Sequence, residues 1–324
     1  MERVARIERT GGPEVIGWAD VDLPPPGPGE VRMRSRAVGL NFIDTYFRSG
    51  LYPVPLPSGL GQEAAGVVEA VGEGVAGFAA GDRVATFGPP IGAYATARNL
   101  PAGSLFKLPD AVNDETAAAM LLKGCTAEFL VERCARVQPG WTVLVHAAAG
   151  GVGQILVQWL KAVGAEVIGT VGDEAKVAAA RAAGADHVLL SRSEDIAARV
   201  REITGGAGVA VAFDGVGKAT WEASLAATRR RGLIVSYGNA SGPVEGVRLG
   251  VLSGHGSLFV SRPTLFDYYA APDERMAGAA RLFAMLESGA VRAGIGQRFA
   301  LEEAAEAHRA LETGKTTGAT VLLP

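Results

Sequence analysis

Hydrophobic and polar positions follow two different rhythms along the chain. In the first third the rhythm has period two. The run EVRMRSRAV (30–38) alternates strictly, with Arg32, Arg34 and Arg36 on one face and small or apolar residues on the other. Period two is the signature of a strand with one buried face. AAGVVEAVG (64–72) and GDRVATFG (81–88) read as further short strands broken by glycine, and PPPGPG (24–29) as a turn or extended connector. Many short strands with Gly/Pro punctuation suggest a barrel or sandwich. The arginine row reads as a solvated outer face.

From about residue 142 the pattern changes. Apolar runs TVLVHA, EVIGTV, HVLL, VAVAFDGV, GLIVSYG and SLFVS alternate with segments of helical period, such as DEAKVAAARAAG and SEDIAARVREITGG. Strands alternating with helices predict βαβ units and a parallel sheet. Gly164–Ala165 and Gly184–Ala185 mark two helix ends. After residue 263 the character is mixed again. Helices are predicted over 274–289 and 301–314, and ATVLLP closes the chain as a strand.

Composition adds limits. The chain has 324 residues, which favours two domains at roughly 150 residues each. A net charge of −3 and 6% aromatics argue against a chain-wide nucleic-acid footprint or base-stacking platforms. No apolar run approaches the roughly 18 residues of a membrane span, and MERVARIERT lacks the apolar core of a signal peptide. Cys125 and Cys134, placed on one helix, would be separated by about 13 Å along its axis, beyond the roughly 7 Å a disulfide spans. Reduced thiols and a cytoplasmic location are expected.

The sharpest chemical signal is VLVHAAAGGVGQILVQWLKAVGAEVIGTVGDEAK (143–176). A buried strand runs into Gly150-Gly151-Val152-Gly153, then a helix, then a second strand. Glycines at such a junction let a pyrophosphate approach the backbone, and the helix N-terminus supplies free N–H groups. Ala148 holds the first place of the G-x-G-x-x-G fingerprint, with Gly150 and Gly153 in the second and third. The second strand ends in Gly169-Thr170-Val171-Gly172, with no acidic residue to take ribose hydroxyls. Asp173 reads as a helix N-cap, and Lys176 follows one turn in. A small, uncharged strand end with a nearby lysine suits a 2′-phosphate, so NADPH is favoured.

GLNFIDTYFRSGLY (39–52), GLGQEAAG (59–66), LLKGCTAEFLV (121–131), HAAAGGVGQ (146–154) and RRRGLIVSYGNASG (229–242) together resemble the medium-chain dehydrogenase/reductase superfamily, and within it the zinc-free quinone oxidoreductases of the zeta-crystallin type. The resemblance implies an α/β chain with a GroES-like β-barrel catalytic domain at 1–124, a Rossmann doubly wound parallel-sheet domain at 125–262, and a segment at 263–324 completing the catalytic domain. It places NADPH in the cleft between them. It further implies a homodimer, formed through the edge near GSLFVS (256–261).

Zinc-dependent relatives carry Cys where Asn41 stands and His where Gln62 stands. The four histidines, His146, His187, His255 and His308, are scattered without ligand spacing, so no metal site is expected. Gln62 is expected to keep a site position and Glu63 a structural hydrogen-bonding role. Asn41, Tyr46, Tyr52 and Gln62 are the catalytic candidates, Tyr52 as a substrate-orienting donor. Cofactor contacts are expected from Asn41, Lys123, Thr126, Gly150, Gly151, Val152, Gly153, Gly172, Lys176, Ser191, Arg192, Gly238 and Asn239. For Lys123, covering a domain seam is the alternative. Ser191 departs from a tyrosine common in relatives, which removes a stacking contact and leaves Arg192 as the cationic one. Cys125 reads as a buried, inert thiol. The run Arg229-Arg230-Arg231 is assigned to a helix end, where cations meet the helix dipole.

Without zinc to polarise a carbonyl, the implied acceptor is already electron-poor. The resulting expectation is an NADPH-dependent quinone reductase, with an enoyl or alkenal (enone) reductase as the alternative in the same chemistry. A crystallin-like structural or RNA-binding protein is the alternative of another class.

Overall fold

The computed structural model describes residues 1–324. The chain begins with β1 (Glu2–Ile7), β2 (Gly17–Val21), β3 (Glu30–Leu40), α1 (Phe42–Ser49), β4 (Ser58–Gly59), β5 (Glu63–Val71), β6 (Arg83–Phe87), β7 (Ala97–Pro101), β8 (Leu105–Lys107) and α2 (Asp114–Glu128). Then come β9 (Thr142–Val145), α3 (Gly151–Val163), β10 (Glu166–Val171), α4 (Val177–Ala182), β11 (His187–Leu190), α5 (Ile196–Ile203), β12 (Val209–Asp214), α6 (Trp221–Ala227), β13 (Thr228–Ser236), α7 (Gly250–Gly254) and β14 (Phe259–Ser261). The chain closes with α8 (Leu265–Tyr268), α9 (Pro272–Glu287), β15 (Ile295–Ala300), α10 (Ala304–Glu312) and β16 (Ala319–Leu323). No helix is long and apolar enough to cross a membrane.

Two compact units result. The first comprises Met1–Lys123, Arg275–Glu287 and Ala293–Pro324; the second comprises Gly124–Glu274 and Ser288–Arg292. The first division falls inside α2, and the return to the first unit comes at Arg275, later than the change of pattern at 263 suggests.

In the first unit a seven-stranded sheet runs β15-β16-β3-β5-β6-β8, with β7 also paired to β3, and a second sheet runs β2-β1-β4. β3 is the long central strand. Its Val31, Met33, Ser35 and Ala37 are buried, as period two requires. Its arginines do more than face water. Arg34 pairs with Glu2 and Glu69, and Arg32 donates to Asn99 Oδ1 (3.2 Å) and Leu23 O (3.0 Å), so the row stitches neighbouring segments together. Ile7, Met33, Leu40, Leu60, Tyr94 and Leu322 pack in the core.

The second unit holds one six-stranded parallel sheet in the order β11-β10-β9-β12-β13-β14. Val143, Leu144 and Val145 of its central strand β9 are fully buried. Such continuous apolar strands are what a sheet covered on both faces demands. Gly164 and Gly184 follow α3 and α4 at φ of 89° and 106°, the left-handed conformation that closes a helix. The three arginines 229–231 do not stand at a helix end. α6 stops at Ala227, and Thr228 pairs with Val209 of β12, which draws the arginines into β13 rather than a helix end. There the Arg229 guanidinium stacks on the Trp141 ring at 5.3 Å.

β14 lies at the edge of this sheet. Phe259 and Val260 are 63% and 39% exposed, and Leu249 of the preceding loop is 81% exposed. An exposed apolar edge strand is a surface suited to pairing with another strand. We therefore expect Phe259→Asp to yield a monomer by sedimentation velocity at micromolar concentration, with the wild type a dimer. A monomeric wild type would remove this edge as a self-association surface.

Candidate functional site

Glu63, at the start of β5, is fully buried. Its Oε1 accepts from the Leu122 N–H at 2.6 Å. Its Oε2 accepts from Asn41 Nδ2 at 2.8 Å and from Lys123 Nζ at 3.1 Å. A buried carboxylate is tolerated only with such partners. Gly39 makes room for it. A Cβ at position 39 would lie 2.4 Å from Glu63 Oε2 and 2.1 Å from Ala118 O. The arrangement is therefore built from β3, β5 and α2 at once.

This geometry gives each neighbour a defined state. Asn41 spends its amide N–H₂ on Glu63, so Oδ1 is the end left to accept from a ligand. The Lys123 ammonium is committed to Glu63 in the interior of the first unit. Gln62 is 1% exposed, and its Oε1 has no hydrogen-bond partner. Unpaired buried amide groups are uncommon and call for a partner. On α1, Tyr46 is buried, and its ring meets that of half-buried Tyr52 edge-on at 5.2 Å. Tyr52 is fixed further by its N–H, which donates to Tyr46 O at 3.0 Å. No group of three His, Cys, Asp or Glu side chains is arranged to hold a metal ion.

In the second unit the strand-to-helix turn after β9 is tight. Ala147 takes φ of 53°, and a Cβ on Gly153 would stand 2.1 Å from Ala147 O. Gly150 is the N-cap of α3, and no side chain caps the helix. Its first N–H groups therefore have no acceptor within the helix. An uncapped N-terminus lined by glycine fits a pyrophosphate. Gly151 and Val152 form the first turn of that helix.

The end of β10 holds the next features. Ser191 accounts for its hydroxyl locally: Oγ donates to Val171 O at 3.1 Å, and its N–H donates to the same oxygen at 2.8 Å. This fixes Arg192 beside the strand end, with guanidinium atoms 3.6–3.8 Å from where a Cβ of Gly172 would stand. Asp173 is the N-cap of a single turn, Glu174–Lys176, that leads into α4, but its side chain makes no cap bond. Lys176 closes that turn, half-buried. Thr126 lies on α2 past the division between units.

Gly238 follows β13. A Cβ there would meet Gly215 O at 2.4 Å, so the two loops touch backbone to backbone. Asn239 is oriented with Nδ2 donating to Gly238 O (3.1 Å) and Oδ1 accepting from Arg262 Nη2 (3.0 Å). Sequence reasoning missed what supports these two loops. Asp214, the last residue of β12, accepts at Oδ1 from the N–H groups of Val216 and Gly217 (both 2.9 Å) and from Thr220 Oγ1 (2.7 Å). Ser224 Oγ donates to its Oδ2 at 2.7 Å and lies 3.1 Å from His146 Nε2. Because the Ser224 proton goes to Asp214, His146 must donate from Nε2 and accept at Nδ1 from Thr170 Oγ1 (3.1 Å). Burial pushes the His146 pKa down, consistent with a neutral strut. An aspartate closing an apolar strand before Gly-Val-Gly was the available signal.

Two family models match the chain: alcohol dehydrogenase GroES-like domain over residues 27–110 and zinc-binding dehydrogenase over 151–283. The chain is 53% identical to a quinone oxidoreductase of Pseudomonas aeruginosa, over 97% of each protein. It is 44% identical to a 2-haloacrylate reductase of Burkholderia, covering 100% of this chain and 99% of that protein. The structure of an Escherichia coli quinone oxidoreductase complexed with NADPH superposes with a TM-score of 0.97 at 45% identity, over 99% of this chain and 100% of that one.

The buried pair yields a stability test. Lys123→Met should destabilise the protein by roughly 3–5 kcal/mol, because it strands a buried carboxylate. Adding Glu63→Gln should recover part of that loss, since Gln still accepts from the Leu122 N–H. Urea unfolding of the four proteins measures the coupling. Strictly additive losses would show that Glu63 and Lys123 do not depend on each other.

Proposed function

Because the chain belongs to the quinone oxidoreductases of the medium-chain dehydrogenase/reductase superfamily, we propose that it is an NADPH-dependent quinone reductase and that it works without zinc. The cofactor half of this reading rests on the uncapped, glycine-lined start of α3. The acceptor half rests on full-length similarity to quinone oxidoreductases at 46–53% identity.

Bound NADPH supplies hydride from its nicotinamide to the acceptor. The protein's part is to hold, orient and keep water out. Gly150, Gly151, Val152 and Gly153 offer backbone N–H groups to the pyrophosphate. Arg192 and Lys176, with Gly172 between them and the strand, hold the 2′-phosphate. Thr126, Gly238 and Asn239 present the remaining polar edge. Asn41 accepts through Oδ1 from a hydroxyl or carboxamide of the cofactor. Gln62, whose buried Oε1 has no partner in the protein, is assigned to the acceptor side, with its amide N–H₂ donating to an acceptor oxygen as charge gathers there, the role a metal would otherwise fill. Tyr46 and Tyr52 form an aromatic wall against which a planar quinone can lie. Lys123 acts one step back, holding Glu63 and through it Asn41.

A quinone is already electron-poor, so these donors suffice without a Lewis acid. The similarity to a 2-haloacrylate reductase favours a second acceptor class, activated alkenes. Cys125 is buried and neither cysteine is in a disulfide, which suits a protein working in the reducing cytoplasm. Exposed Phe259 and Val260 favour a homodimer through β14.

Two measurements test the reading. NADPH oxidation should be faster, as kcat/KM, with 1,4-benzoquinone than with a simple 2-alkenal, and dialysis against a strong chelator should leave both rates unchanged. Faster alkenal turnover reverses the acceptor order, and activity lost to the chelator and restored by zinc ends the metal-free reading. For the cofactor, Lys176→Ala and Arg192→Ala should each weaken NADPH about tenfold, the worth of one partly solvated charge-assisted bond. NADH should change little, and the difference should shrink as salt rises. Equal losses for NADPH and NADH would remove both residues from the 2′-phosphate.

A further inference from the structure

A directional chain of groups, buried from Arg48 inward, runs from Glu312 at the surface of the first unit and ends on Asn41. Asp44 is fully buried on α1. Its Oδ2 accepts from the Asn41 N–H at 2.9 Å and from the Tyr94 hydroxyl at 3.0 Å. The Tyr94 oxygen lies 3.0 Å from His308 Nε2, and His308 Nδ1 lies 3.0 Å from Arg48 Nη1. Arg48 is paired with Glu312 (2.6 and 3.0 Å) and donates from Nε to Gly11 O at 3.1 Å.

Each proton in this chain has one place to go. A guanidinium only donates, so His308 Nδ1 is an acceptor and its proton sits on Nε2. That proton points at the Tyr94 oxygen, and the Tyr94 proton is left for Asp44. Burial, with Arg48 beside it, pushes the His308 pKa down to about 3, so the ring is neutral and the polarity of the chain is fixed.

We propose that Asp44 is a positioning residue for Asn41: its carboxylate, oriented by Tyr94, His308, Arg48 and Glu312, anchors the first turn of α1 by the Asn41 N–H and so sets where Asn41 Oδ1 points. This rests on the reading that places Asn41 against the cofactor. The Asn41 side chain is fixed by Glu63 and its backbone by Asp44, so two carboxylates hold one residue from two directions. Burial pushes the Asp44 pKa up to about 7, against the bonds from Asn41 and Tyr94 and the charge of Lys123, which lower it; Glu63 adds to the rise. The anion is the stronger acceptor. Asp44 therefore anchors best above that pH.

The sign separates positioning from mere stability. The folded-state pKa lies above the 3.8 of a free aspartate, so the folded protein binds the extra proton, and the contribution of Asp44 to stability is lost as pH rises from about 4 to about 7. Positioning predicts the opposite trend in activity.

The test follows kcat/KM for NADPH and a quinone from pH 5.5 to 9. In the wild type it should rise about fivefold through pH 7, the difference between a neutral and a charge-assisted bond. Asp44→Asn should abolish the step. Tyr94→Phe, which removes one donor to the anion and keeps the ring, should move its midpoint to higher pH. In an Asn41→Ala background, Asp44→Asn should cause no further loss. An unmoved step in both variants overturns the proposal, and Tyr94→Phe decides alone if Asp44→Asn does not fold. Should Asn41→Ala be impaired and Asp44→Asn add its full loss on top, positioning through Asn41 fails while the Asn41 reading stands. Should Asn41→Ala match the wild type, the Asn41 reading fails and the proposal falls with it.

Discussion

The Glu63 carboxylate is the constraint on which the first unit's chemistry rests. It is a full charge with no solvent access, held by a backbone N–H, an amide and an ammonium. Taking that charge from water costs several kcal/mol, by order of magnitude, unless every lone pair is met. Meeting them forces three elements into one arrangement. α2 must bring Leu122 and Lys123 to β5, and β3 must carry glycine at position 39 to let the carboxylate in. Asn41 can then adopt only one amide orientation. The polar pair Gln62–Glu63 divides its duties accordingly: one side chain is saturated by the protein, and its neighbour keeps an unpaired buried oxygen.

The second unit uses the same device at a different place. Asp214 closes an apolar strand and gathers two backbone N–H groups and two hydroxyls. His146 extends the brace to β9 and β10. In both units a buried carboxylate, itself outside the expected reacting groups, fixes the geometry of residues proposed to face a ligand. Such buried polar networks specify one arrangement when fully satisfied.

Much of the fold was legible because local pattern and tertiary role agree. β3, β5, β6 and β9 to β13 announce themselves by period two or by short apolar runs, and the glycines after α3 and α4 stand where left-handed caps are needed. The arginines at 229–231 misled because charge patterning is a local cue, whereas strand pairing with β12 is not. At the site, glycine spacing foretold the α3 loop, and Gln62 and Glu63 stood out by their small neighbours. The links Asp44–Tyr94, Tyr94–His308 and Arg48–Glu312 were invisible. They join residues up to 264 positions apart, and no periodicity encodes which polar groups will meet.

The first unit is not contiguous, and this bears on how the chain is made. β16 pairs with β3, and His308 and Glu312 complete the chain to Asp44. A ribosome that has released the first 123 residues has therefore delivered a sheet lacking β15 and β16, with Tyr94 still missing His308 and Arg48 still missing His308 and Glu312. All six strands of the parallel sheet are available well before β16 emerges. During vectorial synthesis the order of completion is thus inverted relative to the order of the sequence: the later unit can condense first, and the earlier one waits for the C-terminus. Until then the nascent chain exposes an unfinished sheet edge at the end of β3, over Val38–Leu40.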